Sequence, residues 1–203
     1  MLFRSHHAEA LAEHRAAVQI APDVEFLHTT YGLSLLADGQ TNAALEQFAI
    51  SSKLDPHYPW SRTETAKNFL AQGRDTEAID QLREAVGCAP NSVDTLNFTA
   101  LVLAANENAN ARDGRSAFAL AAKANILSSG RRPDVLDVLG MACAELEKFD
   151  DAQMAAQQAL EVAAALKMNS TEQIKKRLEL YKNHQPWRQS FLATNPAAKN
   201  WLN

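Results

Sequence analysis

Two cysteines in 203 residues, Cys88 and Cys143, cannot build a disulfide framework. They form neither a CxxC pair nor a zinc-ligand spacing. In their alanine-rich surroundings both are expected to be free, buried and to act as small hydrophobes. The six histidines, His6, His7, His14, His28, His57 and His184, contain no HExxH pair, and no GxSxG occurs. No catalytic residue, metal or cofactor is therefore expected. Apolar runs fall short of the roughly 18 residues of a membrane span, so this chain is not expected to insert into a bilayer. Positive charge is scarce too: a net charge of -4 and a pI near 5.9 argue against a nucleic-acid partner. The opening "MLFRS" lacks the charged start and long apolar core of a signal peptide. Residues 1–5 are read as a gene-model artefact, since a GTG start running into a sequencing-adaptor end would encode them.

What the chain does have is a ruler. Pro22, Pro56 and Pro90 stand 34 residues apart, as do Ala10, Ala44 and Ala78, and His14, Phe48 and Leu82. Gly39 and Gly73 repeat the spacing in "LADGQ" and "LAQGR". Apolar or small residues at helical spacing lead to each glycine, which takes the left-handed conformation after a helix cheaply. A polar turn, a second helix and a proline break follow. Each unit is thus expected to be two antiparallel helices, A and B. Gly32, Ala44, Ala66 and Ala78 are small where A meets B, with Phe48 as the bulky complement.

These columns resemble the tetratricopeptide repeats (TPR), 34-residue helical hairpins with small residues at repeat positions 8 and 20 and proline at 32. Counted from Glu25, Gly32, Ala44, Phe48 and Pro56 match, with Ser51 in place of alanine. Counted from Pro59, Ala66, Ala78, Ala85 and Pro90 match, with Leu82 replacing the aromatic. The resemblance implies an all-α solenoid: a half repeat over 6–22 (helix B only), repeats over 25–58, 59–92, 93–132 and 133–166, a capping helix over 170–183 and a tail over 184–203. A half unit at the start is what a fragment of a longer protein would show.

The ruler slips in the third unit. A strict count puts the small helix-B residue at Arg112, whereas the fitting alanine is Ala117, so five residues are extra in "NENANARDGRSA", residues 106–117. Asp113 is read as a helix N-cap with asparagines as turn formers. The competing reading makes Arg112, Arg115 and the new helix start an anion site. The run from Asn110 to Ala152 is similar to the closing TPR units of a bacterial subgroup, through Arg112, Asp113, Gly114, Pro133, Asp137 and Phe149 among others. It departs at Val138, Cys143 and at Glu147, which replaces a C-capping glycine. "RLELYKNHQPWRQ" is similar to that subgroup's end. In the subgroup such arrays often follow a membrane-embedded glycosyltransferase. This chain would then be its accessory region, tethered through a missing upstream part and acting in the cytoplasm or periplasm.

In "STEQIKKRLELYKN" Ser170 and Gln173 form a capping-box pattern. Ile174, Leu178 and Tyr181 share its apolar face, while Lys175, Lys176 and Arg177 are read as its solvated side. Beyond Pro186, Trp187, Phe191, Leu192 and Trp201 are expected to fold back over the cap, the alternative being a mobile tail carrying a partner-binding motif. Function is expected on the concave surface lined by the A helices. The groove stripe reads Phe26, Thr29 and Leu33; Trp60, Thr63 and Lys67; Asn97 and Leu101; Asp137 and Met141. That mixture suits an extended or helical peptide, so a protein-interaction scaffold with a protein or peptide partner is the leading expectation. Chaperone-binding members of the resembled family grip a C-terminal carboxylate with a lysine, asparagine and arginine set, which Lys67 and Asn97 alone do not reproduce.

Overall fold

The computed structural model describes residues 2–195, and the side chains of residues 8–195. Trp201, part of the expected fold-back, lies outside the described residues. The chain runs through α1 (Leu2–Ile20), α2 (Glu25–Ala37), α3 (Thr41–Leu54), α4 (Pro59–Ala71), α5 (Asp75–Cys88), α6 (Val93–Ala105), α7 (Gly114–Leu127), α8 (Pro133–Glu145), α9 (Phe149–Ala165) and α10 (Glu172–Lys182). No strand occurs among the described residues; one isolated parallel bridge joins Asn106 to Gln189. Helix α1 already begins at Leu2, ahead of the start near His6 that periodicity suggested.

Four hairpins follow α1, and α2, α4, α6 and α8 are their A helices. Small residues set the closeness of each hairpin. Ala44, Ala66, Ala78, Ala117 and Ala152 are all fully buried. At Gly32 a Cβ would stand 2.5 Å from the Phe48 ring, so only glycine lets α2 sit against that side chain. Pro59 and Pro133 occupy the first turns of α4 and α8, where a missing N–H costs nothing and φ is already helical. Gly39 and Gly73 leave α2 and α4 at φ 81° and 75°. Glu147 takes the same left-handed position after α8 at φ 60°, where a side chain carries strain.

The A-to-B turn spans 38–40 in the first hairpin, 72–74 in the second and 146–148 in the fourth, but 106–113 in the third. This long turn is braced from both sides. Asn106 and Asn108 each donate a side-chain N–H to the Asp75 carboxylate, at 3.1 and 2.8 Å. Arg112 donates to the carbonyls of Asn106 (2.8 Å) and Glu107 (3.1 Å) and to Glu145 Oε1 (3.0 Å). Its guanidinium is thereby consumed inside the fold, which removes the main cation of the anion-site reading. Asp113 caps α7, accepting from the Ser116 amide at 3.1 Å and its hydroxyl at 2.6 Å. A Cβ at Gly114 would meet Glu145 Cγ at 2.9 Å, so glycine allows α7 to start hard against the end of α8.

At the far end α10 covers α9 and α8 with Ile174, Leu178 and Tyr181, closing one apolar cluster. Three details differ from the sequence reading. The N-cap is Thr171, without a side-chain capping bond, so the Ser170–Gln173 box does not form. Arg177 is buried, not solvated. Cys88 is only half-buried, whereas Cys143 is buried and burial pushes its thiol up to about 11.

Candidate functional site

The expected groove stripe divides into two halves with different fates. At the N-terminal end Phe26 is 48% exposed, its ring centroid 5.7 Å from that of Trp60, and Tyr58 meets Trp60 edge-on at 6.2 Å. Trp60 Nε1 donates to Glu64 Oε1 (3.2 Å), and Lys67 Nζ donates to the same oxygen (2.8 Å) while lying 5.8 Å from the Phe98 ring. Half-buried Leu33 lines a shallow pocket with His14 and Ser34, which are hydrogen-bonded at 2.6 Å. Thr63 is half-buried and donates to the Pro59 carbonyl, a local helix bond. Three aromatics thus stand beside a Glu64–Lys67 ion pair.

The other stripe residues are not open. Thr29 is fully buried against α3, its hydroxyl 2.8 Å from that of Ser51. Asn97 is buried and donates to Asp134 at 3.2 Å, while its Oδ1 has no partner. Leu101 and Met141 are each 1% exposed, and Asp137 is 3% exposed. Asp137 is paired with Arg177 of α10, and Leu101 and Met141 share an apolar cluster with Phe191 of the tail. After α10 the chain turns at His184 (φ 55°), passes the cap where Trp187 lies beside Arg177, and runs on along the A helices.

Residues 187–193 cross the ends of three A helices in turn. Arg188 reaches Glu145 at the end of α8 (2.5 Å). The Gln189 amide donates to Ala105 O at the end of α6 (2.8 Å), and Gln189 O accepts from the Glu107 amide (3.0 Å). The Ala193 amide donates to Ala71 O at the end of α4 (3.0 Å). Phe191 is 2% exposed and joins the apolar cluster that contains Leu70, Leu101 and Met141, with Trp187 packed against its side. The long turn of the third hairpin adds a second backbone bond to this crossing, at Glu107. Its extra residues leave Asn106 extended (φ -55°, ψ 135°), presenting backbone groups that a three-residue turn would consume.

Beneath the segment lies a buried ion pair. Arg177 donates twice to Asp137, at 2.8 and 2.5 Å, and its guanidinium lies 5.3 Å from the Trp187 ring. Burial pushes the Asp137 carboxyl up against the pull of Arg177. The neighbouring Tyr181 hydroxyl is buried without a partner, and burial raises it well above the usual phenol range. A cavity of about 500 Å³ remains alongside, lined by Asp137, Arg177, Trp187 and Gln189 among others.

No protein-family model matches the sequence, and no curated protein matches it. Solved structures do. MamA superposes with a TM-score of 0.63 at 16% identity, over 80% of this chain and 92% of that one. Pseudomonas aeruginosa PilF gives 0.63 at 16% identity, over 90% and 86%. A thermophilic TPR protein of Thermus thermophilus gives 0.60 at 18% identity, over 90% and 93%. The fold is that of a tetratricopeptide-repeat array. Among the described residues, no group of three or more His, Cys, Asp or Glu could hold a metal ion. No helix among them is long and apolar enough to cross a membrane.

The stripe reading missed Tyr58, Glu64, Glu145, Gln189 and Phe191. Tyr58 precedes the helical register, and Glu145 ends it, so neither falls on a periodic column. Trp187 and Phe191, four apart after Pro186, were visible as apolar residues wanting a partner, but periodicity does not say which surface they meet.

Proposed function

We propose that this array binds an extended peptide of a protein partner along its A helices, with Phe26, Trp60, Thr63 and Lys67 as the open anchor region. The observation that carries the reading is the chain's own segment 187–193, an extended stretch held along the same row of helices by backbone hydrogen bonds and buried aromatics. A surface that accepts one extended segment in this way has the geometry to accept another. The aromatic trio Phe26, Tyr58 and Trp60, with Glu64 and Lys67 beside it, supplies rigid apolar area next to charge. An array serving as the accessory region of a membrane glycosyltransferase would use the same surface.

Selection from a random-peptide display library tests this. Binders recovered on the wild-type chain should lose affinity by about tenfold or more when Trp60→Ala and Lys67→Ala are combined, a loss on the scale of one anchor residue. Circular dichroism should be unchanged. Binders indifferent to the double substitution would contradict the assignment of the anchor region.

A further inference from the structure

The segment 187–193 says more about the partner than that it is extended. We propose that it is a resident stand-in for the partner. The partner would be an extended peptide with an aromatic residue, a basic residue directly after it, and a second aromatic four residues beyond the first. It binds by displacing the segment from α6 and α8. This rests on the reading of the A-helix row as a peptide groove and specifies the chemistry of its second half.

Three features support it. First, the seat does not depend on the segment. Asp75 holds Asn106 and Asn108, and Arg112 holds the carbonyls of Asn106 and Glu107, so the extended edge stays formed when the segment leaves. A preformed seat avoids the ordering cost of binding. Second, the attachments are of two kinds. The bonds at Ala105, Glu107 and Ala71 are to main chain and accept any sequence, whereas the burial of Phe191, the packing of Trp187 and the Arg188–Glu145 pair select side chains. Glu145 holds Arg112 through Oε1, while its buried Oε2 faces Arg188 as a charge contact without a hydrogen bond.

Third, the resident segment fits imperfectly. Gln189 is buried, yet its Nε2 has no partner, an unmet donor that opposes burial. The cavity beside Trp187 and Gln189 is likewise unfilled by the segment. A peptide with the same aromatics and a better residue between them escapes that penalty. What keeps the segment in place is its tether: the short link from α10 gives it a local concentration on the order of millimolar.

The test uses the full chain and a fluorescein-labelled peptide of the sequence of residues 185–195, read by fluorescence anisotropy. The wild-type chain, with its seat filled, should bind weakly. The chain carrying Trp187→Ala and Phe191→Ala should bind at least about tenfold more tightly, since the tethered competitor is gone. Replacing both aromatics of the peptide by alanine should abolish binding. Replacing its arginine by glutamate should weaken binding by about tenfold, one charge reversal at Glu145. Should the double variant lose its helical signal, Gln189→Pro, which deletes the amide donor to Ala105 and spares the aromatics, opens the same seat. A folded, opened chain that binds the peptide no better than wild type overturns the proposal, as does equal binding of the all-alanine peptide. Failure here, with library peptides still sensitive to Trp60, would sink the resident segment and leave the anchor region standing.

Discussion

Repeat position 9 holds Leu33 in the first hairpin, Leu101 in the third and Met141 in the fourth, three apolar residues in one structural column. Leu33 is half-buried beside an open pocket; Leu101 and Met141 are sealed. Position 5 differs as well: Thr29 bonds sideways to its own helix B, whereas Asp137 faces Arg177 from the capping helix. Identical placement in the repeat thus gives different surroundings, because α10 packs on α8 and α9 and the tail runs over the ends of α4, α6 and α8. A repeat fixes the direction a side chain takes. What it meets there is decided by the neighbours of that copy.

The closed half is most vulnerable at Arg177. Arg177→Ala should cost about 3–5 kcal/mol by urea unfolding, because it leaves the Asp137 carboxylate buried and unpaired. Phe26→Ala, on the open half, should stay within about 1 kcal/mol. Equal costs would mean the two halves are equally closed. Next, Ala44→Leu should destabilise by about 1–3 kcal/mol, since Ala44 has no exposed surface and added methylenes overpack α2 against α3. That result would separate an open groove from a loose hairpin: the first half is open only on its outer face.

How much of this was legible follows from how each feature is encoded. The hairpins were, because Gly39, Gly73, Pro59, Pro133 and the buried alanines act within a few residues of where they stand. The long turn was too, since Asp113 and Gly114 carry a local capping signal. Arg177 was misread although it stands three residues after Ile174 and four before Tyr181, on the same helical face. Residue type outweighed position, and a buried arginine needs a carboxylate that only the fold brings near. The sealing of Leu101 and Met141 lay beyond reach for the same reason. Phe191, far along the chain, joins their cluster, and no period links them.

Smaller effects sharpen the account of the long turn. Asp113→Ala should cost about 1 kcal/mol, the worth of a lost N-cap. The Asp113 carboxyl is held below its ordinary value by its bonds to Ser116. Its contribution should therefore be full above about pH 4, the unfolded value, and be lost as pH falls through the lower folded value. Urea midpoints of wild type and variant should converge on acidification. Smallest of all, Glu147→Gly should stabilise by about 0.5–1 kcal/mol, trading left-handed strain for glycine's larger unfolded entropy. A rise in the thermal midpoint would show that the fourth hairpin wants the glycine found in the first two.

The central claim, that the later half of the groove is filled by the chain's own tail, is read most directly by amide hydrogen exchange. The amides of Gln189, Glu107 and Ala193 each donate to a backbone oxygen across the seat. All three should be protected well above their free-chain rates, and Phe191→Ala should release Gln189 and Ala193 together while the buried helical amides of α6 and α8 keep their protection. A Gln189 amide that exchanges at the free-chain rate in the wild-type protein would contradict the account.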